Sequence, residues 1–251
     1  MRNYFSVGSV LFSLALSLVL SQSVWAGIIA ERNRIIFPEG VDEQDLMIAN
    51  TNKYPIIVQT WIDDGDVNNT PEKTEAPFVV LPAVFKMNSN DAKGLRIIFK
   101  HQPLPDDRES LYWLNIYEIP PQHKSTSNNT AELVVAMNTQ MKILYRPTAL
   151  INQKVDLLSS LQFSIVKDKQ DIMLNATNPT GYYASFSSLK LLINGHEYKS
   201  EQKLDMMVAP KSTEQFVFKK LSAVSQGQAI NLSFMLIDDL GHSHQGHRKN
   251  L

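Results

Sequence analysis

Cysteine is absent from all 251 residues. That single absence removes disulfides, cysteine nucleophiles and thiolate metal sites together. It leaves an oxidising compartment open, since a chain without thiols is safe in one. An excess of charge of either sign is also missing: 24 Lys and Arg stand against 25 Asp and Glu, for a formal net charge of −1. Nothing in that balance points to nucleic acid or to an anionic membrane surface. Beyond residue 26 no segment carries an apolar stripe of helical length at the 3.6-residue period. Enzyme motifs are equally scarce. There is no Gly-x-Ser-x-Gly elbow, no His-Glu-x-x-His, no phosphate loop and no dinucleotide-type glycine run. Ser-x-x-Lys occurs at Ser164, Ser187 and Ser200 without companion motifs, so it carries no catalytic reading. His242, His244 and His247 lie in a polar tail, Gly241 to Leu251, which reads as solvated and mobile rather than as a metal site. No catalytic residue, metal or cofactor is expected.

The first 26 residues stand apart. Arg2 is their only charge, Val10 to Leu20 is nearly all apolar, and Val24-Trp25-Ala26 puts small residues at −3 and −1. This reads as a signal peptide cut after Ala26. The apolar run is short for a membrane span. Loss of Arg2 takes the mature charge from −1 to −2. After it, two apolar pieces flank a charged kink at Glu31 to Arg34. Strand candidates follow at 45–50, 56–62, 77–81, 95–99, 112–119 and 133–145, separated by Gly and Pro breakers. After Pro147 the pattern restarts, with candidates at 161–166, 171–176, 184–193, 215–218 and 229–237, and a hairpin signal at Asn194-Gly195. The expectation is an all-β chain of two immunoglobulin-like sandwiches, residues 27–150 and 151–251.

The longest strand candidate is LVVAMNTQMKILYRP, Leu133 to Pro147. Leu133, Val135, Met137, Met141, Ile143 and Tyr145 recur with period two, and the alternate set is mixed. A strand this long and this apolar is either buried in a sheet or waiting for a partner. Lys142 and Arg146 stand near its end. On its own it fits a core strand with solvated charges at its tip.

A second stretch alters that reading. Leu104 to Pro121, LPDDRESLYWLNIYEIPP, combines a charged turn with an aromatic strand closed by two prolines. It resembles the signature of the PapD-like periplasmic pilus chaperones: Leu-Pro, acid-Arg-Glu-Ser, aromatic-x-Asn-x-x-x-Ile-Pro-Pro. Glu31-Arg32-Asn33-Arg34, Tyr54 to Trp61 and Lys142 to Pro147 resemble the family's other first-half motifs. Asn178 to Tyr183 and Ile237 to Gly241 resemble its second-half turns. The resemblance implies two sandwiches set at an angle, and binding of fimbrial subunits that lack their last strand. The long strand would fill the gap, and an outer-membrane usher would receive the complex. It implies that Arg34 and Lys142 anchor the subunit's terminal carboxylate. Leu133, Val135 and Met137 would face the subunit, and Glu109, Arg146 and Asp239 would form an interdomain charge cluster. It implies a periplasmic protein, monomeric or a weak self-capping dimer, with no nucleic acid, stable membrane insertion or catalysis. Many relatives carry a second-domain disulfide, which this chain cannot form. That and the short polar loop Gln122 to Thr130 resemble the short-loop branch serving rod-type pili. Strict alternation puts Lys142 on the opposite face from Leu133, Val135 and Met137. Either a twist or bulge near Asn138 to Gln140 resolves this, or the two groups serve different faces. The alternatives are a secreted immunoglobulin-like binding module, an adhesin or carbohydrate-binding protein with an aromatic platform, and an exported hydrolase.

Overall fold

The computed structural model describes residues 27–66, 70–121, 135–153, 155–168, 171–219 and 229–251. The expected signal peptide, residues 1–26, the polar stretch 122–130 expected as a short loop, and Leu133 lie outside them.

The first half is a sandwich of β1 (Ile28–Ala30), β2 (Arg34–Pro38), β3 (Glu43–Asn50), β4 (Ile56–Asp63), β5 (Phe78–Leu81), β6 (Val84–Met87), β7 (Ala92–Phe99), β8 (Ser110–Ile119) and β9 (Met137–Arg146). One sheet runs β1-β3-β7-β5 and the other β2-β9-β8-β4-β6. The charged kink at Glu31 to Asn33 is where the chain crosses from one sheet to the other. Ile28 to Ala30 pair antiparallel with β3, and Arg34 to Pro38 pair parallel with β9. Period-two apolar residues face inward and fill the space between the sheets. Ile35, Phe37, Leu95, Ile97, Leu114, Ile116 and Ile143 are fully buried. Phe78 stacks edge-on against Phe37, and Phe99 packs tilted on Tyr145.

Two short helices, α1 (Thr148–Ile151) and α2 (Leu157–Ser160), lead into the second sandwich. Its strands are β10 (Gln162–Asp168), β11 (Asp171–Asn178), β12 (Ala184–Ile193), β13 (His196–Lys199), β14 (Met207–Val208), β15 (Ser212–Phe218), β16 (Ile230–Ile237) and β17 (Ser243–Arg248). The sheets are β10-β11-β15 and β13-β12-β16-β17, with β14 beside β12. Its core is separate, built on Phe186, Phe216, Phe218, Phe234 and Leu191. The Asn194-Gly195 turn has both residues at positive φ, 51° and 79°, which a two-residue hairpin of the primed type requires.

Three differences from the sequence reading have physical causes. The polar tail is not free: Ser243 to Arg248 pair with β16. Gly246 sits so close to Phe234 that a Cβ there would lie 2.2 Å from its ring, so the strand is held by pairing and contact rather than by apolar content. Strands β6, β13 and β14 are short edge or hairpin pieces whose sequence carries little alternation. The long strand is shorter than its sequence, since Val135 and Ala136 lie outside β9 and, among the described residues, pairing begins at Met137.

Candidate functional site

The site is organised by β9. One edge pairs with β8 without interruption, from Met137 opposite Glu118 to Tyr145 opposite Ser110. The other edge pairs with β2 only from Lys142 to Arg146. Among the described residues nothing pairs with the second edge of Met137 to Met141. A row of backbone donors and acceptors is therefore available there to another strand.

The two faces of β9 differ. Met141, Ile143 and Tyr145 enter the core. Met137, four residues before Met141, lies on the same face but beyond the core and is 52% exposed; Val135 is 62% exposed. The apolar face of the strand thus runs out of its own domain into solvent. Lys142, Leu144 and Arg146 lie on the opposite face. The register with β8 shows no bulge from Met137 onward, so Met137 and Lys142 serve different faces, and Lys142 turns toward the second sandwich. The polar side of the first half of β9 is tied down separately: Asn138 and Gln140 amides donate to Asn115 Oδ1 at 2.9 and 2.8 Å. Asn115 in turn donates to Asp63 at 2.7 Å.

Arg34 and Lys142 face each other at the same register on adjacent strands. Their charge is not neutralised locally: among the described residues neither forms an ion pair with a carboxylate. Arg34 Nε donates to Asn33 Oδ1 at 3.2 Å, and Nη1 to the Ile237 carbonyl at 3.4 Å. Lys142 Nζ is 3.5 Å from Ser185 Oγ and 5.4 Å from the centre of the Trp113 ring. Burial pushes the pKa of both downward. For Lys142 the Arg34 charge adds to the depression and Asp205 opposes it; for Arg34, Asp239, Asp238 and Glu109 oppose it. An open cleft would leave both cations part exposed, yet Arg34 is only 7% exposed. The Ile237–Gly241 turn of the second domain covers it, and Gly241 is pressed so closely on Asn33 that a side chain there would overlap it.

Glu109, Arg146 and Asp239 come together at the domain junction. Arg146 Nε donates to Glu109 Oε1 at 2.7 Å, and its two terminal nitrogens hold Asp239 at 2.6 and 2.8 Å. Glu109 Oε2 accepts from the Tyr183 N–H at 2.7 Å, and the Glu109 N–H donates to the Gly181 carbonyl at 2.8 Å. The Arg146 guanidinium also lies 5.1 Å from the Tyr182 ring centre. The Tyr182 hydroxyl donates to the linker carbonyls of Leu150 and, at 3.2 Å, Gln153. Burial pushes the Glu109 carboxyl up, and Arg146 and the Tyr183 N–H partly offset it. For Arg146, burial is outweighed by Asp239 and Glu109, and its pKa rises. A cavity of about 420 Å³ adjoins the cluster, lined among others by Arg34, Glu109, Arg146 and Asp239.

Sequence reasoning did not find Ser185, Asp205 or the role of Trp113 beside Lys142. Trp113 lies inside the aromatic strand motif of Leu104 to Pro121; nothing in the sequence marks Ser185 or Asp205, because only folding brings the second domain against β9. Among the described residues no cluster of His, Asp and Glu is arranged to hold a metal.

Two sandwiches of this topology, with a strand shared between core and open edge, define a two-domain immunoglobulin-like β protein. Residues 27–151 match the family described as pili and flagellar-assembly chaperone, PapD N-terminal domain, and residues 156–248 the pili assembly chaperone PapD C-terminal domain. The chain belongs to this family and is a chaperone of fimbrial assembly. It is 30% identical over 224 residues to the chaperone protein HifB of Haemophilus influenzae, covering 88% of this chain and 87% of HifB. It is 29% identical over 234 residues to the probable fimbrial chaperone YadV of Escherichia coli, covering 92% and 93%. The crystal structure of the CupB2 chaperone of Pseudomonas aeruginosa superposes with a TM-score of 0.69 at 31% identity, covering 89% of this chain and all of that one. These matches support the chaperone reading and give none to the adhesin, carbohydrate-binding or hydrolase alternatives.

Proposed function

We propose that the chain binds a fimbrial subunit by adding β9 to the subunit's incomplete sandwich, and delivers it to an outer-membrane usher. The observation that carries this is the edge of Met137 to Met141, unpaired among the described residues, which runs directly into two cations that form no ion pair with a described carboxylate. An incoming strand can hydrogen-bond along that edge while Val135 and Met137, with Leu133 before them, enter the subunit's open core. Arg34 and Lys142 then hold the subunit's terminal carboxylate by charge-assisted hydrogen bonds. Fixing the strand's end fixes its register, and a slip of one residue would turn every apolar side chain the wrong way. The Glu109–Arg146–Asp239 cluster sets the angle between domains, so that the second domain closes over Arg34. The protein works by binding alone, without cofactor or chemistry. It is exported to the periplasm by a signal peptide cut after Ala26, with working domains 27–150 and 151–251, as a monomer or weak self-capping dimer of the short-loop branch.

The test is capture of a co-expressed fimbrial subunit from the periplasm by wild type, Met137→Asp and Lys142→Ala. The expected result is recovery with wild type and loss with both variants, each with the circular dichroism of the native fold. Undiminished recovery with both would overturn the reading.

A further inference from the structure

We propose that Trp113 is the positioning residue of the carboxylate anchor: its indole face holds the Lys142 ammonium charged and aimed into the cleft. The inference rests on the anchoring role proposed above. Lys142 has two strand neighbours at its register. On one side is Arg34, a like charge. On the other is Trp113, directly opposite across β8 and β9, with the ammonium 5.4 Å from the ring centre. A cation within about 6 Å of an indole face is attracted by the ring's quadrupole. The ring attracts Lys142 without offering an anion. A carboxylate in that position would neutralise the lysine and compete with the pilus protein's terminus; an indole stabilises the charge and leaves its hydrogen-bond donors free.

The ring is itself held in place. Gly65, at φ +89°, closes the turn after β4, and a Cβ there would lie 2.6 Å from Trp113 Nε1. The backbone of the turn therefore presses on the indole edge, where no other residue fits. Ser185 completes the seat with a hydroxyl 3.5 Å from Nζ. Burial and Arg34 together disfavour the charge on Lys142, and Asp205 only partly opposes them, so loss of the ring leaves a cation with less to hold it.

The experiment compares wild type, Trp113→Leu and Trp113→Phe for binding of a synthetic peptide that alternates valine and threonine. One form ends in a free carboxylate and the other is amidated. Wild type should prefer the free carboxylate. Trp113→Leu should lose roughly threefold to thirtyfold in affinity for the acid peptide, the range a desolvated cation–π contact gives, with little change for the amide. Trp113→Phe should recover most of the loss. The Lys142 ammonium, followed by NMR, should titrate lower in Trp113→Leu than in wild type. Equal loss for both peptides, or an acid preference in Trp113→Leu as large as in wild type, would overturn the inference. If Trp113→Leu does not fold, the Phe variant decides alone: it should keep the preference, and its loss would count against the cation–π contact. A wild type with no acid preference would instead refute the anchor itself.

Discussion

Replacing Arg146 with alanine separates two kinds of charge interaction within one cluster. The Glu109 side chain is 1% exposed and the Asp239 side chain 51%. Removing Arg146 strands Glu109 as a buried carboxylate with only the Tyr183 N–H to hold it. Breaking a buried pair in this way costs about 3–5 kcal/mol. The lower end applies, because the adjoining cavity of about 420 Å³ admits water. The half facing Asp239 is solvent-screened and contributes at most about 1 kcal/mol. Arg146→Ala should therefore lose about 3–4 kcal/mol in urea unfolding at pH 7, and Asp239→Asn no more than about 1. Small-angle scattering should show a wider spread of domain angles in Arg146→Ala. Adding Glu109→Gln should recover part of the loss, since the amide oxygen still accepts from Tyr183 and no charge is stranded. A pH series supplies the sign. Glu109 has its folded pKa raised above the ordinary 4.5 by burial, so the folded state binds the extra proton. Stability from this group is full below 4.5 and is lost as pH rises through the raised value. Without Arg146 the raising is larger, so Arg146→Ala should recover stability relative to wild type as pH falls from about 7 toward the ordinary carboxylate range. If Arg146→Ala/Glu109→Gln is no more stable than Arg146→Ala, and the pH series is flat, the stranded charge is not the cause.

Met137→Asp should leave thermal stability within about 0.5 kcal/mol of wild type, because the side chain is half exposed. It should weaken binding of the fimbrial partner by about 2 kcal/mol or more, since an unpaired charge enters an apolar groove; titration calorimetry checks both arms. Gly246→Ala should lose about 1–3 kcal/mol by overpacking against Phe234, and a normal melting temperature would show that the C-terminal strand does not bear on the core. Asp238 is held down to about 2, first by its hydrogen bond with His244 and also by the His242 N–H. Its stabilising contribution is present above the ordinary 3.8 and lost as pH falls through about 2. Asp238→Asn should flatten the acid limb of the stability curve in that window, read by fluorescence.

The period-two runs made most of the fold legible. In β11 burial alternates as the sequence does, with Ile172, Leu174 and Ala176 inward. Edge strands were harder. Ser243 to Arg248 carries no apolar alternation, because its pairing comes from β16 and its inward position is a glycine. The candidate site was legible where its residues fell in local motifs, as with Glu109, Arg146 and Lys142. Two features depend on the domains meeting and left no mark in the sequence. One is the burial of Arg34 beneath the Ile237–Gly241 turn; the other is the contact of Ser185 with Lys142. The opposing faces of Met137 and Lys142 follow directly from alternation, and the unbroken register of β9 with β8 preserves them.

The anchoring proposed above requires Lys142 to meet a fimbrial subunit's terminal carboxylate. A double-mutant cycle measures that contact. One change is Lys142→Ala; the other is amidation of a peptide that copies the last strand of the fimbrial partner. Each change alone should weaken binding by about 2–5 kcal/mol, the cost of truncating one partner of a buried charge pair at an interface. Both together should cost much less than their sum, because the second removes a partner already lost. Additive losses would show that Lys142 does not touch that carboxylate, and the anchoring account would be wrong.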